Sequence, residues 1–469
     1  MQVYNYSGPE FNPYGDDELV LAAAPGPWPA PTALGRVDAR LQLPGSKSLT
    51  NRELVLSALA VEPTLLRWPL HSRDSALMIE ALRALGTTIV EVDGDGAFGP
   101  DLLVTPGELL GGGSIDCGLA GTVMRFLPPL ASLALGPVVF DGDESARRRP
   151  MRTMIDALRA LGVDVNDDGR GALPFSVYGM GEVVGGQLEI DASTSSQFVS
   201  GLLLSAPRFT TGLHLRHTGA TLPSVPHIDM TIACLNARGV LVENPEPGYW
   251  IVEPQPISGG EVLIEPDLSN AAPFLAAAVI AGGTVTIEGW PESTTQVGAH
   301  LETLLPLFGA RVSRADGALT VDGGAGILTG DRLPSVDIDL SAGGELAPAI
   351  VGLASFSRGT SSITGIGHLR GHETDRLAAL ATELNALGGK VTELDDGLRI
   401  EPAELHGGLW HTYEDHRMAT TGAIVGLAVE GVLIEDIATT SKTIPQFADL
   451  WLSHVLAVSD PGRIGLPDA

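Results

Sequence analysis

Apolar positions in this chain fall into two kinds of run that alternate along its length. The first is short, nearly all apolar and rich in small residues, and each copy opens on a residue suited to a helix N-terminus. The copies are "SLTNRELVLSALAV" from Ser48, "TVMRFLPPLASLAL" from Thr122, "SQFVSGLLLSAP" from Ser196, "SNAAPFLAAAVIAGG" from Ser269, "GELAPAIVGLASFSRG" from Gly344 and "DHRMATTGAIVGLAVEG" from Asp415. A helix apolar all round predicts burial on every side. The second kind is amphipathic and ends in a glycine with a β-branched residue soon after, as in "MIEALRALGTTIV" and "LATELNALGGKV". The closing glycines Gly86, Gly162, Gly239, Gly309 and Gly388 fit the left-handed helix C-terminus. A sixth amphipathic copy, "FADLWLSHVLAV", is degenerate. Short strand-like runs such as "GPVVFDG" and "GGTVTIEG" lie between the helices.

The buried-helix starts at 48, 122, 196, 269, 344 and 415 are 74, 74, 73, 75 and 71 residues apart. A spacing so regular predicts six copies of one α/β module with two helices and several strands, not a string of unrelated domains. Three buried helices per bundle with sheets outside make two similar lobes. If the helices in a lobe run parallel, their N-termini share one end and give it a positive potential.

Charge sharpens this picture. Of the 469 residues, 57 are acidic and 28 basic, a formal net charge of −29, with 44 % apolar and 18 % charged residues. A soluble globular protein is expected, and its acidity argues against a nucleic-acid partner or an anionic membrane surface. The start of the chain lacks the cationic and apolar regions of a secretion signal, so it reads as a disordered leader over 1–28, with a flexible tail over 457–469 and a cytoplasmic location. Cys117 and Cys234 lack metal-site spacing and read as small buried hydrophobes.

A protein this acidic nonetheless gathers cations where the buried helices begin. Lys47, Ser48 and Arg52 lie in "LPGSKSLTNR", Gly121 and Thr122 in "CGLAGTVMR", and Ser195, Ser196 and Gln197 in "TSSQF". Glu345, Asp415, His416 and Arg417 stand at equivalent places in the second half. Further basic residues cluster at Arg147, Arg148 and Arg149, in "HLRGHETDR" (Arg370, His372, Glu373, Arg376) and at Lys442. Singly, the hydroxyls could be N-caps and the cations solvated loops. Together they predict an interlobe cleft for a small polyanion. "GSKS" is no nucleotide-binding P-loop, because Leu41 and Ser46 stand where that loop needs glycines, and no dinucleotide fingerprint follows a strand.

Seven motifs in order, "LPGSKSLTNR", "GLAGTVMR", "RRRPM", "TSSQFVSGLLLSAP", "ETDRLAALATEL", "DHRMA" and "KTIPQF", resemble the 5-enolpyruvylshikimate-3-phosphate synthase family. The resemblance implies a two-lobed inside-out α/β barrel of six βαβαββ units, three per lobe. One lobe would hold 29–45 plus 266–456, and the other 46–265. It implies transfer of the enolpyruvyl group of phosphoenolpyruvate to the 5-hydroxyl of shikimate 3-phosphate, releasing phosphate, with no metal, no organic cofactor and a monomeric chain.

By motif, shikimate 3-phosphate would meet Lys47, Ser48, Arg52, Ser195, Ser196, Gln197, Ser224, Glu345, His368 and His372. Phosphoenolpyruvate would meet Lys47, Gly121, Arg149, Gln197, Arg376, Arg417 and Lys442. Glu345, Glu373, Lys47 and His372 would carry the chemistry. Two substrates that each bear a phosphate and a carboxylate need several cations to be brought together. The chain departs from the family pattern at Glu345, where Asp is common, at His372, often Lys, at His368, often Asn, and at Leu119 and Phe126. A methyl at Gly121 should exclude glyphosate-like analogues of phosphoenolpyruvate. The sister enzymes acting on UDP-N-acetylglucosamine use a loop cysteine, which neither Cys117 nor Cys234 matches. A non-catalytic sensor of phosphorylated metabolites is the alternative from another class.

Overall fold

The computed structural model describes residues 26–457. Nearly all of the expected leader, and of the tail beyond residue 457, lies outside the described residues. Trp28, read with the leader, instead pairs with Ile434 at a sheet edge.

The six nearly all-apolar runs are helices, at Lys47–Leu59, Gly121–Ala131, Gln197–Ser205, Ala271–Ala281, Ala347–Ala354 and His416–Gly426. They are buried along most of their length because no face is polar enough for water. Amphipathic helices follow at Arg73–Ala84, Arg152–Ala160, Val225–Ala237 and Arg376–Ala386; in the fourth unit the helix shrinks to Leu301–Leu304 between 3-10 turns. The five closing glycines share φ between 81° and 102°, a conformation other residues adopt at a cost.

Five four-stranded sheets repeat one topology. In the clearest, Gly113–Asp116 lies parallel to Leu135–Asp141 across the buried helix that connects them, and Phe175–Met180 runs antiparallel to Leu135–Asp141 with Asp164–Asn166 at the edge. The sixth sheet has three strands, its third supplied by Trp28–Pro29 from the other end of the chain.

Two further units are built from distant parts of the sequence. Val37–Leu41 pairs with Gly283–Glu288, and Gly260–Leu263 pairs with Thr64–Arg67. The chain therefore crosses twice between two cores, one formed by Ala30 to Leu43 together with residues from Leu268 onward, the other by residues from Leu54 to Ile257. The crossing segments run side by side. Ser46 N donates to the Glu265 carbonyl at 2.8 Å and Asp267 N to the Pro44 carbonyl at 2.9 Å. A Cβ on Gly45 would sit 2.3 Å from the Trp68 carbonyl, so glycine is required where the first crossing segment passes the backbone at Trp68.

In each lobe the three buried helices pack on one another with their N-termini at a common end. Asn51 Nδ2 donates to Thr122 Oγ1 at 2.6 Å, and Arg125 NH1 to Gln197 Oε1 at 3.3 Å, tying three first turns together. In the other lobe Asn270 Nδ2 donates to the Thr443 carbonyl, and Arg417 NH1 lies 3.5 Å from the Ser269 carbonyl.

Candidate active site

The C-terminal lobe contributes an alternating chain of charges. Asp375 caps the helix Arg376–Ala386 by accepting from Leu377 N and Ala378 N, which leaves Arg376, its first residue, to turn inward. Asp415 caps the helix His416–Gly426 through Arg417 N and also accepts from Arg376 Nε at 2.7 Å. Arg376 NH2 reaches Glu373 Oε2 at 2.9 Å, and Lys442 Nζ reaches Glu373 Oε1 at 2.6 Å.

Glu373, Arg376, Asp415 and Lys442 are buried and His372 beside them is half-buried, so these charges act in a medium far less polarisable than water. Burial alone would raise the Glu373 carboxyl, but Lys442, then Arg376 and Arg149, pull it well below the usual carboxylate range. His372 moves the other way. Burial and then the Arg376 guanidinium, whose NH1 lies 3.4 Å from Nδ1, hold it well below its ordinary value, so it is neutral at pH 7.

Glu345 occupies the 3-10 turn Gly344–Leu346 that opens the fifth buried helix. Gly344 beside it leaves room for His368, whose Nε2 would lie 2.6 Å from a Cβ at that position. Glu345 Oε2 lies 3.6 Å from Arg417 NH2 and 3.6 Å from His227 Nε2. Burial works to raise this carboxyl as well, and His227, Arg417 and Lys47 overcome it and hold the group far below the ordinary range.

The N-terminal lobe faces these carboxylates with cations. Ser46, not Ser48, caps the first buried helix, and Lys47 Nζ lies 3.7 Å from Asp74 Oδ2. The Arg52 guanidinium is buried over the Phe126 ring, 5.1 Å from its centroid. It donates to the Ser48 and His227 carbonyls and to Thr231 Oγ1, and burial lowers it to about 10. Phe126, unusual for the motif, is thus the aromatic floor beneath that cation. Leu119 acts through its carbonyl, 3.3 Å from Arg149 NH1 and 3.3 Å from Lys442 Nζ. One cation from each lobe therefore meets at a single backbone oxygen.

Gly121 lies against the same group: a Cβ there would sit 2.7 Å from Arg125 NH1 and 3.2 Å from both terminal nitrogens of Arg149. Ser195 Oγ accepts from Gln197 N, Ser196 is buried at the start of its helix, and Ser224 N donates across the lobes to the Ser341 carbonyl at 3.3 Å.

Some of the basic residues singled out by sequence lie elsewhere. Arg147 pairs with Asp141, Arg148 is exposed near Glu144, and Arg370 pairs with Asp375 and Glu393. Conversely, His227 and Arg125 belong to the cluster though no charge pattern marked them. His416 is buried with neither ring nitrogen hydrogen-bonded among the described residues, and burial followed by Arg417 and Lys47 hold it well below its ordinary value. Cys117 and Cys234 are free and buried, and burial raises both thiols. Among the described residues no group of three or more His, Cys, Asp or Glu is placed to hold a metal ion.

Two α/β lobes that aim helix N-termini and buried cations at a pair of carboxylates define a transferase for phosphorylated, carboxylated substrates, with the enolpyruvyl-transferase fold. An EPSP synthase from Acinetobacter baumannii superposes with a TM-score of 0.74 at 23 % identity, covering 92 % of this chain and 98 % of that one. The enolpyruvyl transferase NikO from Streptomyces tendae superposes with a TM-score of 0.72 at 17 % identity, over 92 % of this chain and 97 % of that one. Both likenesses speak for the fold.

Residues 31–451 match the EPSP synthase family, 3-phosphoshikimate 1-carboxyvinyltransferase, and the chain belongs to that family. A relative bearing the name 3-phosphoshikimate 1-carboxyvinyltransferase, from Kocuria rhizophila (strain ATCC 9341 / DSM 348 / NBRC 103217 / DC2201), is 56 % identical over 435 residues, 91 % of this chain and 96 % of the relative.

Proposed function

We propose that this cleft carries out the family reaction with the residues placed above. The enzyme transfers the enolpyruvyl group of phosphoenolpyruvate to the 5-hydroxyl of shikimate 3-phosphate and releases phosphate, a step of aromatic biosynthesis. The observation that carries the assignment of roles is the convergence of Lys442 and Arg149, one from each lobe, on the Leu119 carbonyl beside Glu373.

In this reading Arg149, Arg376, Arg417 and Lys442, with Gly121 leaving room, hold phosphoenolpyruvate. Lys47, Ser48, Arg52, Ser195, Ser196, Gln197, Ser224 and His368 hold shikimate 3-phosphate, Lys47 and Gln197 reach both, and His372 serves as a neutral hydrogen-bonding group. Glu345 removes the proton from the attacking hydroxyl, whose oxygen bonds to the substituted alkene carbon. Glu373 delivers a proton to the methylene carbon and takes one back as the carbon–oxygen bond to phosphate breaks. When phosphoenolpyruvate neutralises Lys442, Arg376 and Arg149, the hold on Glu373 relaxes and its proton affinity rises.

The site is completed by both lobes of one chain, which supports a monomer. The two free, buried cysteines fit a reducing compartment and support a cytoplasmic location. Among the described residues no helix is long and apolar enough to cross a membrane.

Phosphate release on mixing the purified chain with both substrates, compared with either alone, tests the activity. Binding of shikimate 3-phosphate without turnover would favour a metabolite sensor instead.

A further inference from the structure

We propose that His227 is a positioning residue for this reaction: carried on the N-terminal lobe, it fixes the Glu345 carboxylate of the other lobe so that one oxygen faces the attacking hydroxyl. The inference rests on the reading of Glu345 as the base. Both His227 Nε2 and Arg417 NH2 address the same oxygen, Oε2, each at 3.6 Å, which leaves Oε1 as the oxygen able to accept the hydroxyl proton. These separations are beyond hydrogen-bonding distance and are of the kind that tighten when substrates are bound.

The histidine is itself held firmly. It lies in the first turn of the helix Val225–Ala237, whose N-cap Ser224 is left-handed at φ 51° and is bonded through its own N–H to Ser341 in the opposite lobe. The His227 carbonyl accepts from Arg52 NH2 at 2.9 Å, Thr231 Oγ1 at 3.0 Å and Ser200 Oγ at 3.3 Å. Arg52, the cation assigned to shikimate 3-phosphate, therefore also anchors the residue that orients the base. Occupancy of the substrate site and orientation of Glu345 are linked through one side chain. A glutamate needs such a clamp, because it has one more free torsion than aspartate and loses more freedom when ordered. The groups facing Glu345 are His227, Arg417 and Lys47, with Arg52 and Arg376 farther off.

The test is a cycle of full-length variants. His227→Ala should lower kcat by about 10- to 100-fold with little change in KM for phosphoenolpyruvate. His227→Gln, which offers an amide N–H at a similar reach, should recover most of that loss. In a Glu345→Gln background, His227→Ala should add nothing, because there is no base left to orient.

A His227→Ala enzyme with unaltered turnover, a Gln variant as slow as the Ala variant, or full additivity in the cycle would each overturn the proposal. Glu345→Gln retaining wild-type turnover would instead remove Glu345 as the base, a failure visible without touching His227. Thermal unfolding of the two His227 variants identifies any loss due to misfolding, which the Gln variant would share.

Discussion

Replacing Glu373 by glutamine keeps the shape of the side chain and removes its charge, and the surroundings of the carboxylate set the consequences. It touches Lys442 at 2.6 Å and Arg376 at 2.9 Å, and its side chain is 8 % exposed. Arg376 keeps Asp415 in the variant, whereas Lys442 retains only uncharged acceptors, the Leu119 carbonyl and the glutamine amide oxygen. One buried ammonium is left without a counter-charge, which costs about 3 to 5 kcal/mol of folding stability.

The pH dependence has a definite sign. The folded-state Glu373 is depressed, so its contribution is present above its unfolded value of about 4.3 and is lost as pH falls through the folded value. The stability gap between wild type and Glu373→Gln should therefore close in acid. Turnover should fall by roughly 10², about 2.7 kcal/mol in the barrier, because the amide cannot relay a proton. Phosphoenolpyruvate binding should hold or tighten, since a positive site has lost a negative group.

Steady-state kinetics in both substrates, with urea unfolding from pH 2 to 8, read all of these quantities. Wild-type kcat together with wild-type stability would refute the reasoning. Weaker phosphoenolpyruvate binding would refute the electrostatic part of it.

Other perturbations probe separate features. Glu345→Gln should also lower kcat by about 10² while equilibrium binding of shikimate 3-phosphate stays within a few-fold. Gly121→Ala places a methyl 2.7 Å from Arg125 NH1 and should raise KM for phosphoenolpyruvate by about tenfold or more, weaken glyphosate inhibition, and leave shikimate 3-phosphate binding unchanged in calorimetry. His372→Gln should keep kcat within about tenfold, because the histidine it replaces is neutral; a far larger loss would show that the charged form works. His368, His372 and His416 are all depressed, so the unfolded chain takes up more protons than the folded one. Stability should fall as pH drops below about 6.5, visible in denaturant midpoints at pH 7 and pH 5.5. Arg238→Met strands the buried Glu53 carboxylate, now 2.7 Å from the guanidinium, and should cost about 3 to 5 kcal/mol in urea unfolding, largely recovered by adding Glu53→Leu.

The repeat was legible in sequence because each buried helix must be apolar on every face, and a pattern without a polar stripe survives wherever the chain ends up. Gly86 and its four counterparts marked helix ends for an equally local reason, their positive φ. Local chemistry could not rank three consecutive arginines: Arg147 and Arg149 differ only in what the fold brings near them, Asp141 for one and the Leu119 carbonyl for the other. The charge of His372 was undecided in sequence for the same reason. Its neutrality comes from burial and from Arg376, whose orientation depends on Asp415, 39 residues away.

What the sequence hides most thoroughly is also what the chemistry needs. Lys442 reaches the Leu119 carbonyl over 323 positions, and His227 reaches Glu345 from another lobe, so neither pair leaves a spacing to be read. Each half brings helix N-termini and cations, and the C-terminal half brings the carboxylates Glu345 and Glu373. Each lobe folds around its own apolar core, and Arg149 and Lys47 of the N-terminal lobe add to the field on Glu373 and Glu345 only where the two bodies meet. The chain crosses at Gly45 and Pro266, where Asp267 accepts from Lys47 N on one side and from Asn270 N on the other. That single carboxylate joins the first turn of one lobe's opening helix to the start of the other's, so any change in the angle between lobes must be felt at Lys47.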